Sequence, residues 1–174
     1  RQTNNIVVST VMSNYGFKQA IEKFNFDLIE TPVGDKYVAE AMKKYDAALG
    51  GEQSGHIIIS DQLPVGDGLV TLIYVLKAMQ HFGVALSDFK REHLYEYPQK
   101  LTNLELENKL NDEELEYINQ IALDMSIKKD LDGRYLIRNS GTEPLLRVLV
   151  EAKSNEAMEE FSNELITKIN KYLN

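Results

Sequence analysis

The sequence contains no cysteine, so neither a disulfide framework nor a cysteine-ligated metal site is available to it. No apolar run approaches the roughly 20 residues that a membrane-spanning helix needs. Arg1-Gln2 opens without the charged, apolar and small-residue series of a signal peptide. These absences set the expectation of a soluble, cytoplasmic protein with no membrane partner. A basic excess is missing too: the net charge is −8, divided as −2 over residues 1–93 and −6 over residues 94–174. A nucleic-acid scaffold shows a basic face, so no nucleic-acid partner is expected. No glycine loop carries the lysine of a Walker-type site. Gly66-Asp67-Gly68 offers one carboxylate, too few for a hard cation, and helix capping accounts for it better. The three histidines stand far apart, and no Ser/His/Asp or paired-carboxylate set assembles, so no metal site is assigned.

What is present is ordinary for a globular protein: 174 residues, 43% hydrophobic and 26% charged, enough for one domain or two small ones with a real core. Residues 5–12 are β-branched and apolar and read as a buried strand. Phe17, Ile21 and Phe24 recur at helical spacing, and residues 27–30 read as a second strand stopped by Pro32. Asp35 is expected to cap a helix whose stripe is Val38, Ala41, Met42 and Tyr45. A third strand is expected over residues 56–61. Asp67 caps a helix carrying Leu69, Leu72, Ile73, Leu76 and Met79; Val70 and Val75 make further faces apolar, which predicts a well-buried helix. Ser87 starts a shorter helix through Leu94. This alternation describes an α/β layer domain over residues 1–94.

Residues 95–174 read as a small α+β domain. Residues 102–107 alternate like a strand. Asn111 to Glu114 resembles a capping box, followed by Leu115, Ile118, Ala122 and Met125 at helical spacing. Asp130 to Gly133 is expected as a hairpin-like turn between strands at 125–129 and 134–138. Residues 147–153 form another strand, and Ser154 opens a last helix with Met158, Phe161, Leu165, Ile169 and Leu173 in line.

Two stretches carry chemistry. In Gly50-Gly-Glu-Gln-Ser-Gly-His56, glycines bracket a carboxylate, an amide, a hydroxyl and an imidazole, a donor and acceptor mixture that suits a polyhydroxylated ligand such as a sugar. A glycine turn whose polar residues simply face water accounts for the same residues. In Arg138-Asn-Ser-Gly-Thr-Glu-Pro144, with Arg147 after it, Arg138 offers a planar fork for phosphate oxygens. Ser140 and Thr142 add hydroxyls, and backbone N–H groups around Gly141 can form an anion-binding concavity. The competing account is a β-turn in which Ser140 and Thr142 satisfy their own backbone and Arg138 pairs with a surface carboxylate.

Taken together, residues 51–56 and 138–148 closely resemble the sugar-binding and phosphate-binding loops of the α-D-phosphohexomutase superfamily, and within it the bacterial phosphoglucosamine mutases. Thr10-Val-Met-Ser-Asn14, Val33-Gly-Asp-Lys-Tyr-Val38 and Gly66-Asp-Gly-Leu69 match in the family's order. Gln53 favours the glucosamine branch. The resemblance implies the third and fourth of the family's four domains: a three-layer α/β domain with a mixed sheet, residues 1–94, then a small α+β, TATA-binding-protein-like domain, residues 95–174. By position it gives Glu52 and Ser54 to the sugar hydroxyls and His56 to orienting the substrate or moving its proton. Gly34 and Asp35 form a second substrate-facing turn, with Lys36 near it. Arg138, Ser140, Gly141 and Thr142 match the cradle for the non-reacting phosphate, and Arg147 the family's second arginine. Asn139 departs from the family pattern, and its side chain is expected to point away.

The implied reaction interconverts glucosamine 6-phosphate and glucosamine 1-phosphate through a phosphoserine enzyme and a bisphosphate intermediate, which feeds UDP-N-acetylglucosamine and cell-wall synthesis. The family uses Mg2+ and a glucosamine or glucose 1,6-bisphosphate activator. No stretch here matches its phosphoserine or Mg2+ loops, so the chain is expected to need the enzyme's N-terminal half as a partner and to be inactive alone. A homodimer of the longer protein is possible. The alternatives are half of a phosphomannomutase/phosphoglucomutase and a free-standing sugar-phosphate-binding module.

Overall fold

Val7 and Val8 are the buried centre of strand β1 (Ile6–Thr10), and the first half of the chain is laid out around it. The computed structural model describes residues 4–173, and its contacts divide the chain into two units that meet between Glu96 and Tyr97. In the first unit, β1 pairs in parallel with β2 (Asp27–Thr31) on one side and with β3 (Leu49–Gly51) on the other. β4 (Ile57–Ile59) runs antiparallel to β3, which completes a mixed sheet of order β2-β1-β3-β4. Helix α1 (Tyr15–Lys23), capped by the Asn14 side chain, links β1 to β2; helix α2 (Asp35–Tyr45) carries the chain back across to β3. Val38 and Met42 of α2 pack on Val8, Ala47 and Ile58. Gly50 permits this close approach, because a Cβ there would lie 2.4 Å from Met42 Sδ and 2.9 Å from Val38 Cγ1.

Several expectations for this unit are corrected. β3 was not foreseen, because Leu-Gly-Gly carries almost no strand preference and is held by its neighbours. The strand expected over 56–61 shrinks to three residues, since the His56 carbonyl closes a hairpin by accepting the Glu52 N–H at 2.9 Å. Asp35 is not the cap of α2: Gly34 takes that place at φ 136°, a conformation glycine tolerates, and Asp35 becomes the first helical residue with its carboxylate on the Lys36 N–H. Helix α3 (Gly68–Phe82) begins, as expected, with Asp67 accepting the Val70 N–H at 2.8 Å. The helix is not well buried, however. Leu69 is 73% exposed, and Leu72, Ile73 and Leu76 just over half. The reason is geometric: β4, the strand it packs on, spans about 10 Å, whereas a helix of this length runs about 22 Å, and a helix apolar all round can turn only one face inward. Helix α4 (Leu86–His93) follows.

The second unit is built on β7 (Leu145–Ala152), which pairs antiparallel with β5 (Gln99–Glu105) and β6 (Gly133–Asn139) in the order β5-β7-β6. Leu146, Val148 and Val150 point into a core completed by Ile118, Ala122 and Met125 of helix α5 (Asp112–Lys128) and Phe161, Leu165 and Ile169 of helix α6 (Asn155–Leu173). The capping box at Asn111 and Glu114 forms in both directions. The strand expected at 125–129 is instead the end of α5. Met125 continues the buried stripe of Ile118 and Ala122, so Asp130 to Gly133 joins a helix to a strand and is not a hairpin.

Candidate functional site

The parallel strands of the first unit end at one edge, and three loops leave there: residues 11–14 after β1, Pro32 to Gly34 after β2, and residues 52–56 after β3. The chain leaves β1 for β2 on one side and returns to β3 on the other, so β1 is the switch strand beyond whose carboxyl end open α/β sheets hold ligands. The edge is polar although buried: Ser9, Thr10, Ser13 and Thr31 all lie inside it. Ser9 Oγ donates to the Gly51 carbonyl at 3.0 Å and fixes the base of the glycine turn.

Four of the sequence-selected residues meet here. Glu52 Oε1 accepts the Gly34 N–H at 2.7 Å. Ser54 Oγ donates to Glu52 Oε2 at 3.1 Å and lies 3.2 Å from His56 Nδ1. Gly34, Glu52, Ser54 and His56 therefore form one continuous polar chain, and Ser54 and His56 are exposed. Asp35 is not in that chain, because its carboxylate serves the start of α2. Lys36 is exposed and, among the described residues, pairs with Glu40, one helical turn on.

In the second unit, Arg138 and Arg147 are direct partners in the β6–β7 register. Like charges directly opposite each other on a sheet destabilise it. Partial burial, and then the Arg147 charge, pull the Arg138 guanidinium below its ordinary value, although it stays cationic at neutral pH. Among the described residues Arg138 has no carboxylate partner, and Arg147 Nη2 reaches Glu143 only loosely, at 3.8 Å. Two polar atoms beside this pair are buried and unsatisfied: Arg147 Nε and Ser140 Oγ, the latter on a residue 2% exposed. Buried polar atoms are usually bonded, so unmet donors beside two facing cations, one of them only loosely paired, describe a place for an anion. The Ser140 N–H is already used, donating to the Leu145 carbonyl at 2.7 Å to close the hairpin. Gly141 and Thr142 are exposed at its tip.

Two residues here escaped the sequence. Lys109 Nζ donates to the Gly141 carbonyl and brings a third cation to the loop. Asn139 follows Arg138 on β6 and so turns to the sheet's other face, where its Nδ2 donates to the Leu110 carbonyl at 2.8 Å and its Oδ1 accepts the Leu110 N–H at 3.3 Å. No local pattern announces a partner some thirty residues distant. Among the described residues no three His, Asp or Glu side chains converge as a metal site requires, so no Mg2+ ligand is assigned to them.

Residues 1–97 match the family model described as phosphoglucomutase/phosphomannomutase, alpha/beta/alpha domain III, and residues 101–168 match that of the phosphoglucomutase/phosphomannomutase C-terminal domain. A phosphoglucosamine mutase from Bacillus subtilis (strain 168) is 42% identical over 166 residues, which is 95% of this chain and 37% of that protein. One from Streptococcus agalactiae serotype III (strain NEM316) is 46% identical over 157 residues, 89% of this chain and 35% of that protein. The chain thus spans little over a third of these relatives. Among solved structures, N-acetylglucosamine-phosphate mutase in its substrate complex, a member of the alpha-D-phosphohexomutase superfamily, superposes with a TM-score of 0.76 at 22% identity, covering 97% of this chain and 39% of that one. Aspergillus fumigatus N-acetylphosphoglucosamine mutase with GlcNAc-6P and magnesium gives 0.77 at 19%, covering 97% and 39%. Identities this low carry the fold alone.

Proposed function

Because the chain belongs to the phosphoglucomutase/phosphomannomutase family, with that family's third and C-terminal domains in it, we propose that it is the sugar-phosphate-recognising part of a phosphoglucosamine mutase. The observation that carries this reading is the facing pair Arg138 and Arg147 beside the unsatisfied Ser140 hydroxyl. A phosphate dianion would neutralise the pair, take the Arg138 fork and accept from Ser140 and Thr142. The turn at 52–56 offers a sugar ring the oxygen atoms of Glu52 and Ser54 and the imidazole of His56. Phosphoryl transfer is mostly positioning plus charge stabilisation, and these residues would do the positioning.

The chemistry would interconvert glucosamine 6-phosphate and glucosamine 1-phosphate in the cytoplasm. The phosphoserine, the Mg2+ ligands and the response to a hexose 1,6-bisphosphate activator would come from polypeptide outside these residues, the N-terminal part of a longer enzyme, which in turn would form any homodimer. By this reading the domains change at about residue 95.

The test is a titration of the isotope-labelled chain with glucosamine 6-phosphate, followed by amide shifts. Residues 51–56 and residues 138–142 should each move, and glucose and mannose 6-phosphates should bind more weakly. Unmoved loops at millimolar ligand sink the proposal. Equal or better binding of the mannose or glucose phosphate turns it toward phosphomannomutase/phosphoglucomutase chemistry.

A further inference from the structure

The polar chain Gly34, Glu52, Ser54, His56 has a directional consequence. A serine hydroxyl has one proton. Ser54 gives it to Glu52 Oε2 at 3.1 Å, and an ionised carboxylate has none to return. Ser54 Oγ can then meet His56 Nδ1, 3.2 Å away, only as an acceptor, so Nδ1 must carry the hydrogen. The other oxygen of Glu52 is occupied by the Gly34 N–H at 2.7 Å, which prevents the carboxylate from rotating out of the arrangement. Neutral His56 is thereby held as the Nδ1–H tautomer, and its lone pair sits on Nε2.

We propose that Glu52 is a positioning residue that acts through Ser54 to fix the tautomer of His56, so that this exposed imidazole presents Nε2 as a hydrogen-bond and proton acceptor. This rests on the reading that the turn faces a sugar hydroxyl, and it specifies which atom meets that hydroxyl. Ser54 is a relay as well as a ligand group. Glu52 also ties the turn after β2 to the turn after β3, so the same carboxylate sets the spacing of two loops and the polarity of the His56 ring.

The test exploits an isosteric change. In Glu52→Gln, the amide oxygen can still accept the Gly34 N–H, but the amide nitrogen must donate to Ser54. Ser54 then donates to His56 Nδ1, and the tautomer reverses. Long-range proton–nitrogen NMR spectra of the ligand-free chain, recorded above the histidine titration, should show His56 as Nδ1–H in the native chain and as Nε2–H in Glu52→Gln. The Gly34 amide should stay protected from exchange in both. Ser54→Ala, which removes the relay and leaves the carboxylate, should also release the ring toward Nε2–H. A native chain with His56 as Nε2–H, or a tautomer unchanged in both variants, overturns the inference. Because no ligand is present, that failure leaves the sugar-phosphate reading standing. Unmoved loops in the titration would instead remove the reading and leave the tautomer intact.

Discussion

Arg138 and Arg147 face each other, and among the described residues Arg138 has no carboxylate partner, so an anion site and the ligand-free sheet make opposite demands on it. Arg138→Ala should weaken glucosamine 6-phosphate binding by about 1.5–3 kcal/mol, the worth of a charged hydrogen bond, measured by calorimetry. The same variant relieves a like-charge pair, so its melting temperature without ligand should be equal to or above that of the native chain. Added phosphate should raise the native melting temperature and leave the variant's nearly unchanged, because a ligand stabilises only through its affinity for the folded state. A loss of stability in the ligand-free variant would mean that Arg138 serves the sheet and not an anion. Gly34 gives a second residue-scale test. Its φ of 136° is costly for any side chain, so Gly34→Ala should destabilise by about 1–3 kcal/mol in urea unfolding and disturb the Glu52 contact with it.

At the scale of elements, apolar content and burial part company. Helix α3 is the most apolar of the helices with a complete pattern, yet its outward side chains rest in solvent, whereas α6, far more charged, buries Phe161, Leu165 and Ile169 completely or nearly so. Leu72→Gln in α3 should therefore change stability by no more than about 0.5 kcal/mol, while Leu165→Ala in α6 should cost about 2–5 kcal/mol. A large loss in the first would show that α3 packs more deeply than its exposure indicates. The connection from α5 to β6 carries a pH dependence. Asp132 is held below the usual carboxylate value, first by its hydrogen bond to Lys153, 3.0 Å away, and also by one from Tyr97. A depressed carboxyl contributes stability above its unfolded pKa and loses it as the pH falls through the lower folded value. Acid should thus weaken the native chain more than Asp132→Asn over that interval, read as urea midpoints against pH.

At the scale of the whole molecule, the chain spans little over a third of its curated relatives. If it is the sugar-phosphate-recognising part proposed above, the chain alone should bind glucosamine 6-phosphate and give no conversion to the 1-phosphate in a coupled assay; measurable turnover would refute the proposed division of labour. The alternation of strand and helix, the stripes of α2, α5 and α6, the Asn111 capping box and the two candidate loops were legible in the sequence, because each depends on residues a few positions apart. β3, the true cap of α2, the exposure of α3 and the helical end of α5 were not, because each is settled by what lies opposite. Gly34 takes the cap as Glu52 reaches it from eighteen residues away, and Lys109 reaches the Gly141 carbonyl as Asn139 pins Leu110. The order of residues alone determined which polar side chains the two candidate loops contain. Tertiary structure alone decided which of their donors and acceptors remain unspent, since a hydrogen bond or an unneutralised charge belongs to two groups at once and chain order places only one of them.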